Sequence, residues 1–395
     1  MLQVSSTQPA ALLRRARLAV IVFFMLHGLL FASWIVRIPD VKAHLGLSNG
    51  ELGLALLGAP VGAIAGQFLV GWLLGKYGSK PITVVMAVTW CFLFPLLGLA
   101  PHMLVLLVVL FFYGLLSGGM DVAMNAQAAS VEKRYGRPIM ASFHGTWSIA
   151  SLSAAGIGGF LAGQRVAVEL HFVVVALLVL LGVGFAQRWL IREGQLSAGV
   201  GNSFGVLPRS LFALGMLAFC VLLVEGAISD WSAVYLREAF GSPPTEAAAA
   251  FVAFSLLMTI GRLTGDYLTL RFGPARIVQG GGLLALAGLL LFVLSPLPFV
   301  AIAGCALIGA GIACPFPLVI SAAARNSTLA PGRAISAMAT VGYCGTLLGP
   351  PLIGTLAELF SLRGALTLLC LAALSLLLAG GQVEPQDAAK LAIKA

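Results

Sequence analysis

The sequence predicts an all-α membrane protein with twelve transmembrane helices in two pseudo-symmetric six-helix bundles. Of its 395 residues 60% are hydrophobic and only 9% are charged, and the mean hydropathy is +1.03, values outside the usual range of soluble domains. Twelve apolar segments are long enough to cross about 30 Å of hydrocarbon. Because they lack the alternation of a membrane β-barrel, we expect helices, which satisfy their own backbone groups in lipid.

The predicted spans follow one another with short connections. They cover approximately residues 18–37, 50–74, 81–100, 103–128, 139–162, 170–190, 210–231, 247–270, 276–295, 298–323, 334–357 and 362–381. The first span follows three arginines and superficially resembles a signal peptide. It is too long for a signal-peptide core and no convincing small-residue cleavage site follows it, so we interpret it as an uncleaved span.

Basic residues are distributed unevenly between the two sides of the membrane. With the N-terminus in the cytoplasm, seventeen of the 23 Lys and Arg lie on the cytoplasmic side and Arg262 lies within a span. The opposite side holds Arg37, Lys42, Arg165, Arg237 and Arg363. The positive-inside rule therefore predicts that both termini are cytoplasmic. The net charge of +9 does not indicate nucleic-acid binding, because basic and aromatic residues are not interleaved.

A Gly- and Ser-rich connection, REGQLSAGVGNSFGVLPR at residues 192–209, divides the spans into six and six. We therefore expect a cytoplasmic N-terminal segment at 1–17, a first bundle at 18–190, a cytoplasmic linker at 191–209, a second bundle at 210–381 and a cytoplasmic tail at 382–395.

The two halves repeat each other at an offset of 195 residues. Identical or similar pairs at this offset are Gly66 and Gly261, Lys76 and Arg271, Gly78 and Gly273, Ile82 and Ile277, and Gly159 and Gly354. Parallel repeats of six spans predict two similar bundles about an axis normal to the membrane. A substrate site is then expected between the bundles, near mid-depth.

Two equivalent loops carry a recognisable motif, GWLLGKYGSKP at 71–81 and GDYLTLRFGPAR at 265–276. Both resemble the signature loop of the major facilitator superfamily, and the resemblance extends from about residue 18 to 381. The acid usual in this loop is replaced by Gly75 and by Leu270. The gating or structural candidates in these loops are Lys76, Gly78, Arg271 and Gly273, the two cations being placed to meet helix C-terminal dipoles.

Three further motifs narrow the resemblance: FASWIVRIPD at 31–40, DVAMNAQAASVE at 121–132 and GRPIMASFHG at 136–145. They are similar to a bacterial branch of YbjJ type, which is distantly similar to the fucose permease group. Members of that group couple sugar entry to protons through acids of the amino-terminal half. The resemblance implies a bacterial inner-membrane location and a sugar-like solute, and Asp121 is the position most similar in kind to those acids.

Asp121 is an acid within an otherwise apolar predicted span. On a helix it shares a stripe with Gly114, Gly118 and Asn125. An ionisable group inside a membrane is costly unless it faces protein or water, so we predict that Asp121 binds a proton and that Asn125 contacts substrate. The alternative is an acid satisfied by a neighbouring helix, with a purely structural role.

Histidine and aromatic residues share one face of the first predicted span. His27 is a proton-coupling candidate, because histidine titrates near neutral pH. Phe31 and Trp34 are substrate-binding candidates, because aromatic rings stack on sugar faces. The alternatives are a histidine bonded to a helix carbonyl and a tryptophan that anchors the span at the membrane interface.

The fifth predicted span presents His144, Ser148 and Ser151 on one face. His144 is a further proton-coupling candidate, and Trp147 and Ser148 are substrate-binding candidates. Alternatively, this face holds the fourth and fifth spans together.

In the second half the candidates are fewer. Glu225 is the second acid proposed to bind protons, and Tyr343 is a substrate-binding candidate. Arg262 and Asp266 lie four residues apart and are expected to form an internal ion pair with a structural or gating role. Phe316 falls where Asp121 lies in the first half, so the predicted chemistry is asymmetric.

These patterns favour a secondary active transporter that moves a small polar solute, sugar-like or related, by alternating access with proton coupling. The alternatives are proton-driven efflux of drugs or metabolites and a membrane sensor or scaffold that moves no solute. No nucleotide-binding loop or catalytic constellation is present, so we expect neither an enzyme nor a nucleotide partner. The six scattered cysteines and five histidines predict free thiols and no metal or other cofactor. We expect a monomer in the lipid bilayer.

Overall fold

The computed structural model describes residues 10–135, 139–192, 208–325 and 331–384, which contain α-helices, two short 3-10 turns and no β-strand. The helices of the first half are α1 (Ala10–Ile35), α2 (Ile38–Leu45), α3 (Asn49–Leu56), α4 (Gly58–Tyr77), α5 (Ser79–Leu93), α6 (Leu96–Leu99), α7 (Met103–Tyr135), α8 (Met140–Gly163) and α9 (Val168–Ala186). Those of the second half are α10 (Arg209–Phe240), α11 (Pro244–Phe272), α12 (Pro274–Leu294), α13 (Pro298–Ile312), α14 (Pro315–Arg325), α15 (Pro331–Phe360), α16 (Leu362–Thr367) and α17 (Leu369–Ala379).

Helix length and composition agree with membrane spans. Ten helical stretches of the described residues are long and apolar enough to cross a bilayer. Helices α8 and α15, of 24 and 30 residues, lie at the predicted fifth and eleventh spans. Some predicted spans are broken once, as where α13 ends and α14 begins at Pro315, because proline has no N–H to continue the helical hydrogen bonds.

The chain divides into two compact units. Unit 1 comprises Met1–Trp34, Gly58–Ala154 and Val166–Val200, and unit 2 comprises Ile35–Leu57, Ala155–Arg165 and Gly201–Ala395. Two segments of the first half of the chain therefore group with the second half.

Within unit 1, helices α4 and α7 approach each other through glycines. A Cβ atom added to Gly62 would lie 1.8 Å from the carbonyl oxygen of Phe111, and one added to Gly114 would lie 1.8 Å from that of Ala59. Small residues at such crossings let backbones meet closely in a membrane. The glycines that lead toward Asp121 are thus explained by helix packing.

Within unit 2, helix α3 crosses α15 in the same manner. A Cβ atom on Gly53 would lie 2.6 Å from the carbonyl oxygen of Pro350, and one on Gly354 would lie 2.6 Å from that of Asn49. The crossing falls at the Pro350 and Pro351 pair inside α15. These residues therefore serve close packing, whatever bend they also introduce.

The two repeated loops share one backbone feature. Gly78 follows α4 with φ 76°, and Gly273 follows α11 with φ 83°. Only glycine adopts such angles without strain, which explains why both loops carry it at the equivalent position. The preceding cations lie over aromatic rings: Lys76 is 5.2 Å from the ring centroid of Tyr77, and Arg271 is 5.4 Å from that of Phe272.

Candidate functional site

His27 of α1 is buried and has a partner on each ring nitrogen. The Trp147 indole N–H of α8 donates to Nδ1 at 2.9 Å. The other nitrogen, Nε2, lies 3.3 Å from both the carbonyl oxygen and the hydroxyl of Ser117 on α7. Because an indole N–H only donates, Nδ1 must be the unprotonated acceptor and Nε2–H must donate toward Ser117. This arrangement holds His27 as the neutral ring.

Aromatic rings surround this histidine. Its ring meets Trp90 edge to face at 5.0 Å, and Phe31 lies 5.6 Å from Trp147. Trp34 is only 2% exposed and packs 6.3 Å from Tyr113, so it is a core residue and not an interfacial anchor.

Asp121 of α7 is half-buried and bonded within its own helix. The Asn125 side-chain amide donates to Asp121 Oδ1 at 3.0 Å and to the Asp121 carbonyl oxygen at 2.9 Å. Within the part of the chain that the structure describes, Asp121 forms no ion pair. The predicted stripe thus places an acid and an amide in contact, without a counter-cation.

The residues predicted to share one face of the fifth span, His144, Ser148 and Ser151 of α8, have different partners. His144 is exposed and meets Phe24 edge to face at 5.1 Å. Ser148 donates to the carbonyl oxygen of His144 in its own helix, whereas Ser151 donates to that of Gly28 on α1 at 3.2 Å. Ser151 therefore joins α8 to α1, where the sequence suggested a bond to the fourth span.

In unit 2 the ion-pair partner of Arg262 differs from the predicted one. Arg262 Nη2 of α11 forms an ion pair with Glu225 Oε1 of α10 at 3.1 Å. The predicted pairing of Arg262 with Asp266 is therefore wrong: Asp266 is exposed and forms no ion pair among the described residues. Trp231, the last residue of the predicted span 210–231, is fully buried. Tyr343 is 43% exposed, with its ring 6.5 Å from that of Phe316.

A network missed from the sequence joins the segment after α1 to α10 inside unit 2. Asp40 accepts from Arg37 Nη1 at 2.7 Å and from Arg237 Nη1 at 2.5 Å. Arg37 is only 2% exposed. Next to this triad, Lys42 forms an ion pair with Glu238. The signal was the pair of opposite charges, Arg37 and Asp40, at the end of the FASWIVRIPD motif.

A second contact of this kind joins α3 to α15. Glu358, one residue beyond the predicted span 334–357, accepts from the Gly50 main-chain N–H at 2.7 Å. This bond, aided by neighbouring Ser48, lowers the pKa of the Glu358 carboxyl below its usual range. A carboxyl with a lowered pKa stabilises the contact at neutral pH and loses that effect on acidification.

Gln127 of α7 was also missed, although a polar residue in a predicted span is itself a signal. Its side chain is 1% exposed and donates to Ser79 Oγ at 2.7 Å. The same amide donates to and accepts from the backbone of Ile191 at 2.8 and 3.0 Å. Gln127 thus fixes the start of the predicted linker to α7.

Replacing Trp147 by Phe is expected to lower the free energy of unfolding by on the order of 1 kcal/mol, because the ring is kept while the N–H that satisfies His27 Nδ1 is lost. Reversible unfolding in detergent at pH 7.5 measures the change. Trp72→Phe is the matched control, since Trp72 is 61% exposed. Equal losses in both variants would show that the bond to His27 contributes nothing specific.

The described residues contain no group of three or more His, Cys, Asp or Glu able to hold a metal ion. Helices of membrane-spanning length with ionisable groups inside them define the class as a polytopic helical membrane protein. The sequence model of the Major Facilitator Superfamily matches residues 19–327 and 214–391. The chain belongs to this superfamily, whose members are transporters and not enzymes.

Curated relatives and solved structures agree with this assignment. The chain is 37% identical over 346 residues to the transporter y4wD of Sinorhizobium fredii, covering 86% of this chain and 90% of the relative. It is 33% identical over 345 residues to an MFS-type transporter of Yersinia pestis, covering 87% and 89%. A crystal structure of a variant of the nucleoside transporter NupG superposes with TM-score 0.78 at 12% identity, covering 93% of this chain and 99% of that one. The predicted family and fold class are confirmed.

Proposed function

We propose that the protein is a secondary active transporter that moves a small polar, sugar-like solute by alternating access, driven by protons that bind Asp121. The observation that carries this proposal is an acid inside a 33-residue apolar helix, held by an amide and without an ion-pair partner among the described residues. Moving a charged carboxylate through low-dielectric surroundings is costly, and a bound proton removes that cost.

The other titratable candidates fit this role less well. His27 already accepts the Trp147 N–H at Nδ1, so a second ring proton would place two donors face to face. Glu225 forms an ion pair with Arg262, so its carboxylate already has a partner within unit 2. His144 is exposed and remains a second proton-binding candidate.

The substrate-binding candidates of unit 1 support a polar solute. Asn125, Trp147 and Ser148 supply an amide, an indole and a hydroxyl, and Phe31 supplies an apolar ring face. Amphipathic rings combined with a few directed hydrogen-bonding groups suit a sugar-like solute better than a hydrophobic drug.

Alternating access requires contacts that can break and reform. The partly exposed Lys42–Glu238 ion pair and the Gly50–Glu358 hydrogen bond, both within unit 2, are of this type. Exposed polar contacts exchange for water at little net cost, unlike a buried apolar interface. We propose that these contacts hold the outer ends of the spans in the state seen here.

The proposed setting follows from the charge distribution. We propose that the protein lies in a bacterial inner membrane with both termini in the cytoplasm, as a monomer. We also retain residues 18–190 and 210–381 as the two bundles that rock about the substrate site.

A thermal-shift screen of sugars, polyols, amino acids, organic acids and hydrophobic drugs at pH 5.5 and 7.5 tests the substrate class. A solute at a hundred times its Kd should stabilise the protein by about 2.7 kcal/mol, and proton coupling should make this effect differ between the two pH values. If no solute of any class stabilises the purified protein, the transport proposal loses to the sensor or scaffold. A response confined to hydrophobic drugs favours efflux.

A further inference from the structure

A cavity of about 530 Å³ lies in unit 1, where the end of α4 meets α5 and the turn after α9. It contains none of the proton-coupling or substrate-binding candidates. Its lining combines two cations, two neutral polar side chains and an apolar wall: Lys80, Arg192, Tyr77, Gln187, Pro81, Val84 and Val85. Among the residues that the structure describes, no acidic residue lines it.

Among the described residues, no carboxylate forms an ion pair with the cations of this cavity. Lys80 is half-buried, and its Nζ donates to the carbonyl oxygens of Arg188 and Leu190 at 3.4 and 3.2 Å. Within the described ranges, neither Lys80 nor Arg192 forms an ion pair. The Lys80 ammonium has three donors, so one remains for a ligand. The two like charges in this cavity repel each other, and an anion bound between them would offset that repulsion.

The remaining lining is suited to lipid. Val85 is 54% exposed and lies on α5, which spans 15 residues from Ser79. Tyr77 is 53% exposed at the end of α4, and tyrosine is typical of the boundary between hydrocarbon and headgroups. The cations therefore lie at one end of an exposed apolar wall. A phospholipid has a matching arrangement, with a charged headgroup at one end of its hydrocarbon chains.

We propose that this cavity binds an anionic phospholipid. Its phosphate would lie between Lys80 and Arg192, and the part of its acyl chain nearest the headgroup would lie against Val84 and Val85. Basic pockets on the cytoplasmic side of membrane proteins bind such headgroups, and the charge distribution predicts that side for both cations. This site goes beyond solute transport and does not depend on it. A bound lipid would join α4 and α5 to the end of α9.

The test titrates the purified full-length protein in detergent with phosphatidylglycerol, phosphatidylcholine or glycerol 3-phosphate and records thermal unfolding. Phosphatidylglycerol should stabilise the wild type at a concentration at least tenfold below that needed for phosphatidylcholine. Glycerol 3-phosphate should have no effect in the same range, because it lacks acyl chains. Arg192→Gln should raise the half-maximal phosphatidylglycerol concentration roughly fivefold, the usual contribution of one cation near an anionic surface.

Two further variants keep the test specific. Arg14→Gln removes an exposed cation from the same predicted side, outside the cavity, and should leave the titration unchanged. Val84→Trp fills the apolar wall without changing charge and should abolish the preference for phosphatidylglycerol. Identical titrations for wild type, Arg192→Gln and Val84→Trp would overturn the proposal, as would equal effects of the two lipids. Stabilisation by glycerol 3-phosphate alone would show that the ligand is a soluble phosphate.

Discussion

Replacing Asp121 by Asn is expected to abolish solute accumulation driven by a pH gradient while leaving solute exchange largely intact. The amide has the shape of the protonated acid and keeps a partner for Asn125, but it takes up no proton. Each pH unit supplies about 1.4 kcal/mol per proton, or a tenfold concentration ratio. With one proton per solute, two units should give the wild type roughly a hundredfold accumulation and the variant none.

Proteoliposomes loaded at one pH and diluted into another measure this accumulation once the thermal-shift screen has identified a solute. Counterflow, in which unlabelled internal solute drives entry of labelled solute, measures exchange without net proton movement. Glu246→Gln is the matched acid-to-amide control, because Glu246 lies in the first turn of α11 and outside the candidate site. Undiminished pH-driven accumulation in the Asp121 variant would refute the proton-binding role.

The second large effect is expected from Asp40→Asn, which should lower the free energy of unfolding by on the order of 3 kcal/mol. The variant removes the negative charge between Arg37 and Arg237, and its amide NH2 group would face one of the two arginine donors. Arg37 is almost completely buried, so the cost is that of a disrupted buried ion pair.

Glu238→Gln provides the contrast, since the Lys42–Glu238 pair is more exposed, with Glu238 at 35%. An exposed pair contributes less than about 1 kcal/mol, so this variant should differ little from the wild type. Chemical denaturation in detergent compares both variants. Similar losses would mean that burial of Arg37 does not set the strength of the triad.

Helix positions could be predicted because bilayer thickness and apolar length determine them almost alone. The two signature loops could also be recognised in the sequence, because the positive φ of Gly78 and of Gly273 requires glycine in both copies. The contact of Asp121 with Asn125 followed from helical spacing. These features are local, and each depends on only a few neighbouring residues.

Contacts between distant helices could not be predicted in the same way. Arg262 pairs with Glu225, 37 residues away, although Asp266 lies one helical turn from it. The hydrogen bond from the Trp147 indole to His27 depends on the packing of α1 against α8. Lipid is as apolar as the helix surfaces, so hydrophobicity in the sequence does not indicate which helices pack together. The grouping of residues 35–57 with unit 2 likewise depends on contacts between segments that are far apart in the sequence.

The crossing of α3 over α15 has a mechanical consequence. Bare main chain faces bare main chain at Gly53 and Gly354, so no side chains interlock there. Helices that meet through main chain can separate without a change of side-chain rotamer, whereas interdigitated leucine side chains would first have to move apart. We therefore expect the crossing of α3 and α15 to open without side-chain rearrangement at Gly53 and Gly354, and a bulky replacement at Gly53 to hold the two helices apart.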